Sequence, residues 1–314
     1  MSKMPNKKIG LIAAILLVVT AAVIWKMVIP FLTKPPQVQN FIFLSIDDLR
    51  ADRLGCYGNP RNVSPFLDQL AAQGTQFLKA FIAWPFTPRS HASMLTSYYP
   101  SVFDIPLDPS IQTIASVFRS HKYKTAAFTG DGWMSASYGV LTGFQEYDDN
   151  VRGVQELRKK VKTWLRKNQN DRFFLFLHTY CVHRPFVAPP HQLKKFADPN
   201  YSGPIKNTSK STSAFIKAAN AGKISVSEAD IQRLLDIYDS QIIVADKFVY
   251  SIVETLKMLN LENETMLIIT SDHGEQFYEY KHFGHVSKFN PFADISTRVP
   301  SNNLLLSPSP PRQG

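Results

Sequence analysis

Four short, almost wholly apolar runs punctuate this chain, and each ends in polar residues. They are Phe41-Ile-Phe-Leu-Ser-Ile before Asp47-Asp48, Thr125-Ala-Ala-Phe-Thr before Gly130-Asp131-Gly132, Phe173-Phe-Leu-Phe-Leu before His178, and Met266-Leu-Ile-Ile-Thr-Ser before Asp272-His273. Continuous rather than alternating apolar residues predict strands buried on both faces of a parallel sheet. Helical patterns separate the runs, which predicts an α/β fold with helices on both faces of a mostly parallel sheet. One helix is marked at both ends over residues 66–73, with Ser64 at the cap, Pro65 at the first position and Gly74 beyond the last. A longer one is expected over residues 228–259, with or without a break. Residues 187–224, rich in Pro, Ser, Asn and Lys, read as a long loop or lid over the strand ends.

A carboxylate directly after a buried strand is not a packing residue. One such Asp is ordinarily a helix cap or a turn former. Two of them, joined by His178, gather polar groups at one sheet edge, and ligands of open α/β sheets bind beyond the carboxyl ends of the strands. Residues more than 200 positions apart are therefore expected to converge on a metal ion, which makes an enzyme the leading reading.

At 314 residues and 44% hydrophobic, the chain is long enough for one large α/β domain or two smaller ones. Residues 1–35 stand apart. Lys3, Lys7 and Lys8 precede an apolar stretch over residues 9–25 closed by Lys26, the pattern of an uncleaved transmembrane anchor or a signal peptide. Lysines ahead of the span predict a cytoplasmic amino terminus and a domain, residues 36–314, on the periplasmic or other extracytoplasmic side. The net charge of +10 lies partly in that tail and partly in residues 158–167. There Val154, Leu157, Val161, Trp164 and Leu165 form one helical face and the cations the other, so a solvated surface is expected and nucleic acid is not. Cys56 and Cys181 are expected to remain independent thiols. Asn62, Asn207 and Asn263 open Asn-x-Ser/Thr triplets, which matter only in a eukaryotic secretory path.

Four ordered motifs then carry a resemblance. They are Ser45-Ile-Asp-Asp-Leu-Arg-Ala-Asp-Arg-Leu-Gly-Cys-Tyr-Gly58, Trp84-Pro-Phe-Thr-Pro-Arg-Ser-His-Ala-Ser-Met-Leu-Thr-Ser-Tyr-Tyr-Pro100, His178-Thr-Tyr-Cys-Val-His-Arg-Pro-Phe186 and Thr270-Ser-Asp-His-Gly-Glu275. Between residues 41 and 300 the chain resembles the sulfatase family of the alkaline phosphatase superfamily. The resemblance implies an alkaline-phosphatase-like sheet. It places Thr87 in the nucleophile position, Ser90 at the motif serine and His91 where arginine is usual. Arg89 stands where the family has proline, a departure from the pattern.

The resemblance also implies a divalent metal, one ion or two, held by Asp47, Asp48, Asp272 and His273, with His285 as a further ligand or oxyanion contact. Calcium, magnesium, manganese and zinc each fit some version of that set. His178 and His183 match a His-x-x-x-x-His-x-Pro loop that contacts the transferred group and protonates the leaving oxygen. Cys181 replaces an Asp common there. Lys288 matches a family lysine that stabilises anionic charge. Relatives that cleave sulfate esters oxidise Cys or Ser to formylglycine. Threonine cannot be so converted, and Thr87 therefore implies a covalent phospho-threonine and phosphate-ester chemistry.

The implied activity is membrane-anchored, metal-dependent hydrolysis of phosphate or sulfate esters, with an anionic ester as the substrate. Two alternatives stay open: phosphoryl-group transfer, as of phosphoethanolamine, to a lipid or glycan, and an inactive truncated relative. Residues 301–314 read as neither strand nor helix, and the family's smaller carboxyl-terminal subdomain is not expected in this chain. Nothing in the sequence indicates an oligomeric state.

Overall fold

The computed structural model describes residues 19–20, 38–130, 132–285 and 293–305. The chain divides into residues 1–37 and 38–314, and the fold described is that of the second unit. The expected membrane segment, residues 9–25, lies outside the described residues except for Val19 and Thr20, which are helical. Among the described residues no helix is long and apolar enough to cross a membrane.

The elements follow in the order β1 (Asn40–Ile46), α1 (Pro65–Gln73), β2 (Thr75–Gln76), β3 (Ala80–Phe81), α2 (Thr87–Thr96), α3 (Ile114–Ser120), β4 (Lys124–Phe128), β5 (Glu146–Asp148) and α4 (Gly153–Lys167). Then come β6 (Phe173–Thr179), α5 (Pro190–Leu193), α6 (Ser209–Asn220), α7 (Glu228–Met258), β7 (Thr265–Thr270), β8 (Gln276–Phe277), β9 (Phe283–Gly284), α8 (Asp294–Thr297), β10 (Arg298–Val299) and β11 (Ser301–Leu305). The central sheet runs β2-β11-β7-β1-β6-β4-β5. From β7 to β5 the pairs are parallel, as the apolar runs predict, while β11 is antiparallel to both of its neighbours. Ser45 stands opposite His178 on one side and Thr270 on the other, so the residues that follow β1, β6 and β7 emerge at a common edge.

Alternation along each strand feeds two cores. Ile42, Leu44 and Ile46 of β1 join Phe173, Leu175 and Leu177 of β6 in a core covered by α1, α4 and α7. Phe174 and Phe176 face the opposite way, onto Ala92 and Leu95 of α2 and Ala115 of α3. Each core strand residue is buried because helices cover both faces, the arrangement that the unbroken hydrophobicity requires.

Two sequence readings change and two are sharpened. Residues 187–224 are not one long loop, since α5 and α6 lie within them. Thr212, Phe215, Ile216 and Ala219 form a buried stripe at helical spacing, with the Thr208 side chain accepting from the Ser211 amide, signals masked by the surrounding polar residues. The segment after Pro300 is a strand, because β11 finds backbone partners along β7 that its composition does not announce. α7 runs through 31 residues without a break. Finally, Ser64 takes the N-cap position of α1 as expected, with Pro65 first in the helix and Gly74 beyond its end, but its side chain does not cap the first amides. Asp246 of α7 does so across the core, its Oδ1 accepting from the amides of Phe66 at 3.0 Å and Leu67 at 2.8 Å.

Candidate active site

The parallel register brings the predicted residues to one buried cluster. Asp47 and Asp48 follow β1, His178 sits near the end of β6, Asp272 and His273 follow β7, and His285 follows β9. Thr87 is the first residue of α2, with its hydroxyl oxygen 3.2 Å from His273 Nε2. That position, beside the unpaired amides of a helix N-terminus, favours an anion. Asp47, Asp48, Asp272 and His273 are fully shielded from solvent. His183 is the more open member, its side chain 22% exposed and its Nε2 3.7 Å from Asp48 Oδ2.

Distances within the cluster are those of groups gathered round something they share. His178 Nε2 lies 3.0 Å from Asp47 Oδ2, and His273 Nε2 is 3.3 Å from Asp272 Oδ2 and 3.9 Å from Asp47 Oδ1. His285 Nδ1 is 3.0 Å from both Asp48 Oδ1 and Glu275 Oε2. Yet Asp47 Oδ1, both oxygens of Asp48, Asp272 Oδ2 and Glu275 Oε1 lack any properly aligned hydrogen-bond donor. Buried, orphaned carboxylate oxygens are costly, and a cation is the partner that would satisfy them together. Three sets of donors fit one: Asp48 with His183 and His285, Asp47 with Asp272 and His273, and Asp272 with His91 and His178. The mixed oxygen and nitrogen donors suit zinc or manganese better than calcium.

The charges are sorted in the same way. Burial, with the Asp272 and Asp48 carboxylates adding to it, pushes Asp47 up to about 8. Burial acts to raise Asp48 too, but His183 and His285 hold it well below the ordinary carboxylate range. Burial, with neighbouring imidazoles adding to it against the pull of Asp272, brings His91 and His178 down to about 4, so both are neutral. For His183, His273 and His285 burial is outweighed by neighbouring carboxylates, chiefly Asp48 for His183 and His285 and Asp272 for His273, and all three are raised.

His91 enters the cluster, but both of its nitrogens are engaged. Nδ1 lies 2.8 Å from the Thr87 carbonyl and Nε2 2.9 Å from Ser45 Oγ, a bridge from α2 to β1. Ser90 donates to the Asp272 carbonyl at 2.7 Å, tying α2 to β7 as well. Lys288 and Asp131 lie outside the described residues. Cys56 and Cys181 are unpaired, each thiol pushed up to about 12 by burial. Three contributors were not assigned from sequence. Glu275 meets His285, Arg184 meets Glu275 at 3.1 Å, and the Tyr238 hydroxyl donates to the Asp48 carbonyl at 2.6 Å. Glu275 had a signal, its place two residues after His273; Tyr238 lies mid-helix and had none.

A parallel α/β sheet with acidic and histidine residues converging at its carboxyl edge, beside a hydroxyl at a helix start, defines a candidate active site. The sulfatase family profile matches residues 39–301, and the chain belongs to that family. It is 25% identical to arylsulfatase K of Bos taurus over 327 aligned positions, which cover 87% of this chain and 58% of that protein's length. Two solved structures share the fold at 18% identity. The zinc complex of the periplasmic domain of EcEptC from Escherichia coli has a TM-score of 0.64 over 85% of this chain and 73% of that one. The phosphonate monoester hydrolase of Agrobacterium radiobacter has a TM-score of 0.67, covering 84% and 68%.

Proposed function

We propose that this chain is a metal-dependent hydrolase of anionic esters, acting on phosphate in preference to sulfate through a covalent intermediate on Thr87. The observation that supports it is the ring of orphaned carboxylate oxygens beside the Thr87 hydroxyl. Asp47, Asp48, Asp272, His273 and His285 would hold the cation, with His178 bearing on Asp47. When bound, a divalent ion neutralises the anionic ester and lowers the pKa of a nearby hydroxyl.

The chain's own groups divide the remaining work. Thr87 Oγ1 gives up its proton to solvent and forms the new bond to phosphorus while the bond to the leaving oxygen breaks, and it takes a proton back from solvent when water later displaces it. The amides at the start of α2 bind the equatorial oxygens. His183, part-exposed and raised because the Asp48 carboxylate outweighs its burial, is placed to protonate the leaving oxygen and afterwards to take a proton from the attacking water. His91 and Ser90 hold α2 in register with β1 and β7 and so act as positioning residues.

Zinc in the EcEptC structure and the name of the phosphonate monoester hydrolase support metal and phosphorus-ester chemistry. Tethering by residues 9–25, with the domain on the extracytoplasmic side, belongs to the same proposal. The test is turnover of aryl phosphate monoester, phosphodiester and sulfate by the metal-loaded protein, with and without chelator, beside Thr87→Ala. Chelator-sensitive cleavage that is lost in the variant is expected, fastest on a phosphate ester. Turnover that survives chelation would overturn the metal, faster sulfate cleavage would overturn the substrate class, and product appearing only on an added alcohol would make the enzyme a transferase.

A further inference from the structure

Arg184 follows His183 by one residue, and its guanidinium serves only partly in the cluster. Nε lies 3.1 Å from Glu275 Oε1, whose carboxylate also meets His285. The two terminal amino groups have no hydrogen-bond partner among the described residues. They lie 3.5 and 3.6 Å from the point where a side chain on Gly284 would begin, at a backbone φ of +124° that glycine tolerates. Arg184 also borders a cavity of about 510 Å³ between its loop and α6, with Ser213, Lys217 and Asn220 in the opposite wall. No carboxylate lines that cavity. Asn220 fixes the wall in place, donating to the Phe283 carbonyl at 2.8 Å and accepting from the Phe283 amide at 2.9 Å.

An exposed lysine is usually a solvated charge, and an arginine beside a glutamate usually a neutralising partner. Here the arginine that lines the cavity keeps two donors unpaired, and a second cation with a hydroxyl lines the same cavity. A planar guanidinium presents paired donors to an oxyanion, and a lysine adds a point charge.

We propose that this cavity is a second anion subsite, which receives a phosphate, sulfate or carboxylate group carried on the leaving-group side of the ester. Arg184 and Lys217 bind the charge and Ser213 donates to it. The natural substrate is then an ester with two anionic groups. This rests on the ester-hydrolase reading of the adjacent centre.

The test is calorimetric binding of two non-hydrolysable probes, phenylphosphonate and benzene-1,4-bisphosphonate, to the metal-loaded protein at low ionic strength. The bisphosphonate is expected to bind at least about tenfold tighter, an advantage that shrinks with salt. Lys217→Glu, on the exposed face of α6, is expected to bring the two probes to near parity without changing phenylphosphonate binding. Arg184→Gln should act in the same direction. Equal affinities in the wild type, or an advantage that survives both substitutions, would sink the subsite while leaving the ester centre intact. Failure of phenylphosphonate itself to bind would overturn both.

Discussion

The hydroxyl oxygen of Thr87 stands 3.2 Å from Nε2 of His273, across 186 residues of sequence. The pair links the start of α2 to the end of β7, and it sets the proposed nucleophile at the border of the proposed metal ligands. Thr87→Val keeps the shape and removes the oxygen. It is expected to lower kcat by at least about 10³-fold, with the thermal stabilisation by metal unchanged. Thr87→Ser restores an oxygen and is expected to recover turnover to within about tenfold. Equal loss in both variants would show that the threonine is structural.

Added zinc or manganese should raise Tm, since ligand at about 100 times Kd stabilises by about 2.7 kcal/mol. Asp272→Asn and Asp48→Asn preserve size but remove the charge, and each is expected to abolish most of that rise. Scanning calorimetry with and without metal checks it. A full shift in both variants would place the cation elsewhere.

Asp246 gives the fold a pH dependence remote from the site. Burial raises its carboxyl to about 6 from an ordinary 3.8, although it accepts from two amides at the start of α1. The raised value means that the native state favours the proton. Stability from this group is therefore fully present below about pH 3.8 and is lost as pH climbs through about 6. The difference corresponds to roughly 3 kcal/mol at 1.36 kcal/mol per pH unit. Asp246→Asn keeps an accepting oxygen and should remove that slope, whereas Asp246→Ala should cost about 1–3 kcal/mol by leaving two amides unpaired. Denaturant titrations at pH 4 and pH 7 compare them, and parallel pH profiles for wild type and Asp246→Asn would refute the assignment.

Gly274 separates His273 from Glu275 because another backbone passes there. A methyl group at this position would begin 1.9 Å from the Ile295 carbonyl oxygen, while the Gly274 amide donates to the Ser296 carbonyl at 2.9 Å. Gly274→Ala must therefore displace backbone on α8 or the loop bearing two cluster residues. A loss above about 3 kcal/mol is expected, together with weakened metal binding. A variant with wild-type Tm and metal affinity would contradict this close approach.

Much of the site was legible because strand burial and strand ends are written locally. Asp47, His178 and Asp272 each end an apolar run, and parallel register does the rest. The hydroxyl of Thr87 was placed by family motif, since nothing in its own neighbourhood separates a nucleophile from a helix start. What stayed hidden depends on partners distant in sequence. β11 takes its strand character from β7, α1 takes its cap from Asp246, and Tyr238 reaches Asp48 from 190 positions away. α6 was overlooked for a different reason: its four buried residues are outnumbered by Ser, Thr and Lys, so composition concealed the period.

The Tyr238 phenol also accepts from the Arg50 amide at 2.9 Å while donating to the Asp48 carbonyl, and Asp48 sits at φ +62°, unusual for a residue with a side chain. The turn that carries two carboxylates is thus clamped by the middle of α7, so neither loosens alone. Deuterium uptake at Arg50 then reports the undocking of that helix, and a ligand that quiets the turn should slow exchange along the helix core as one cooperative opening.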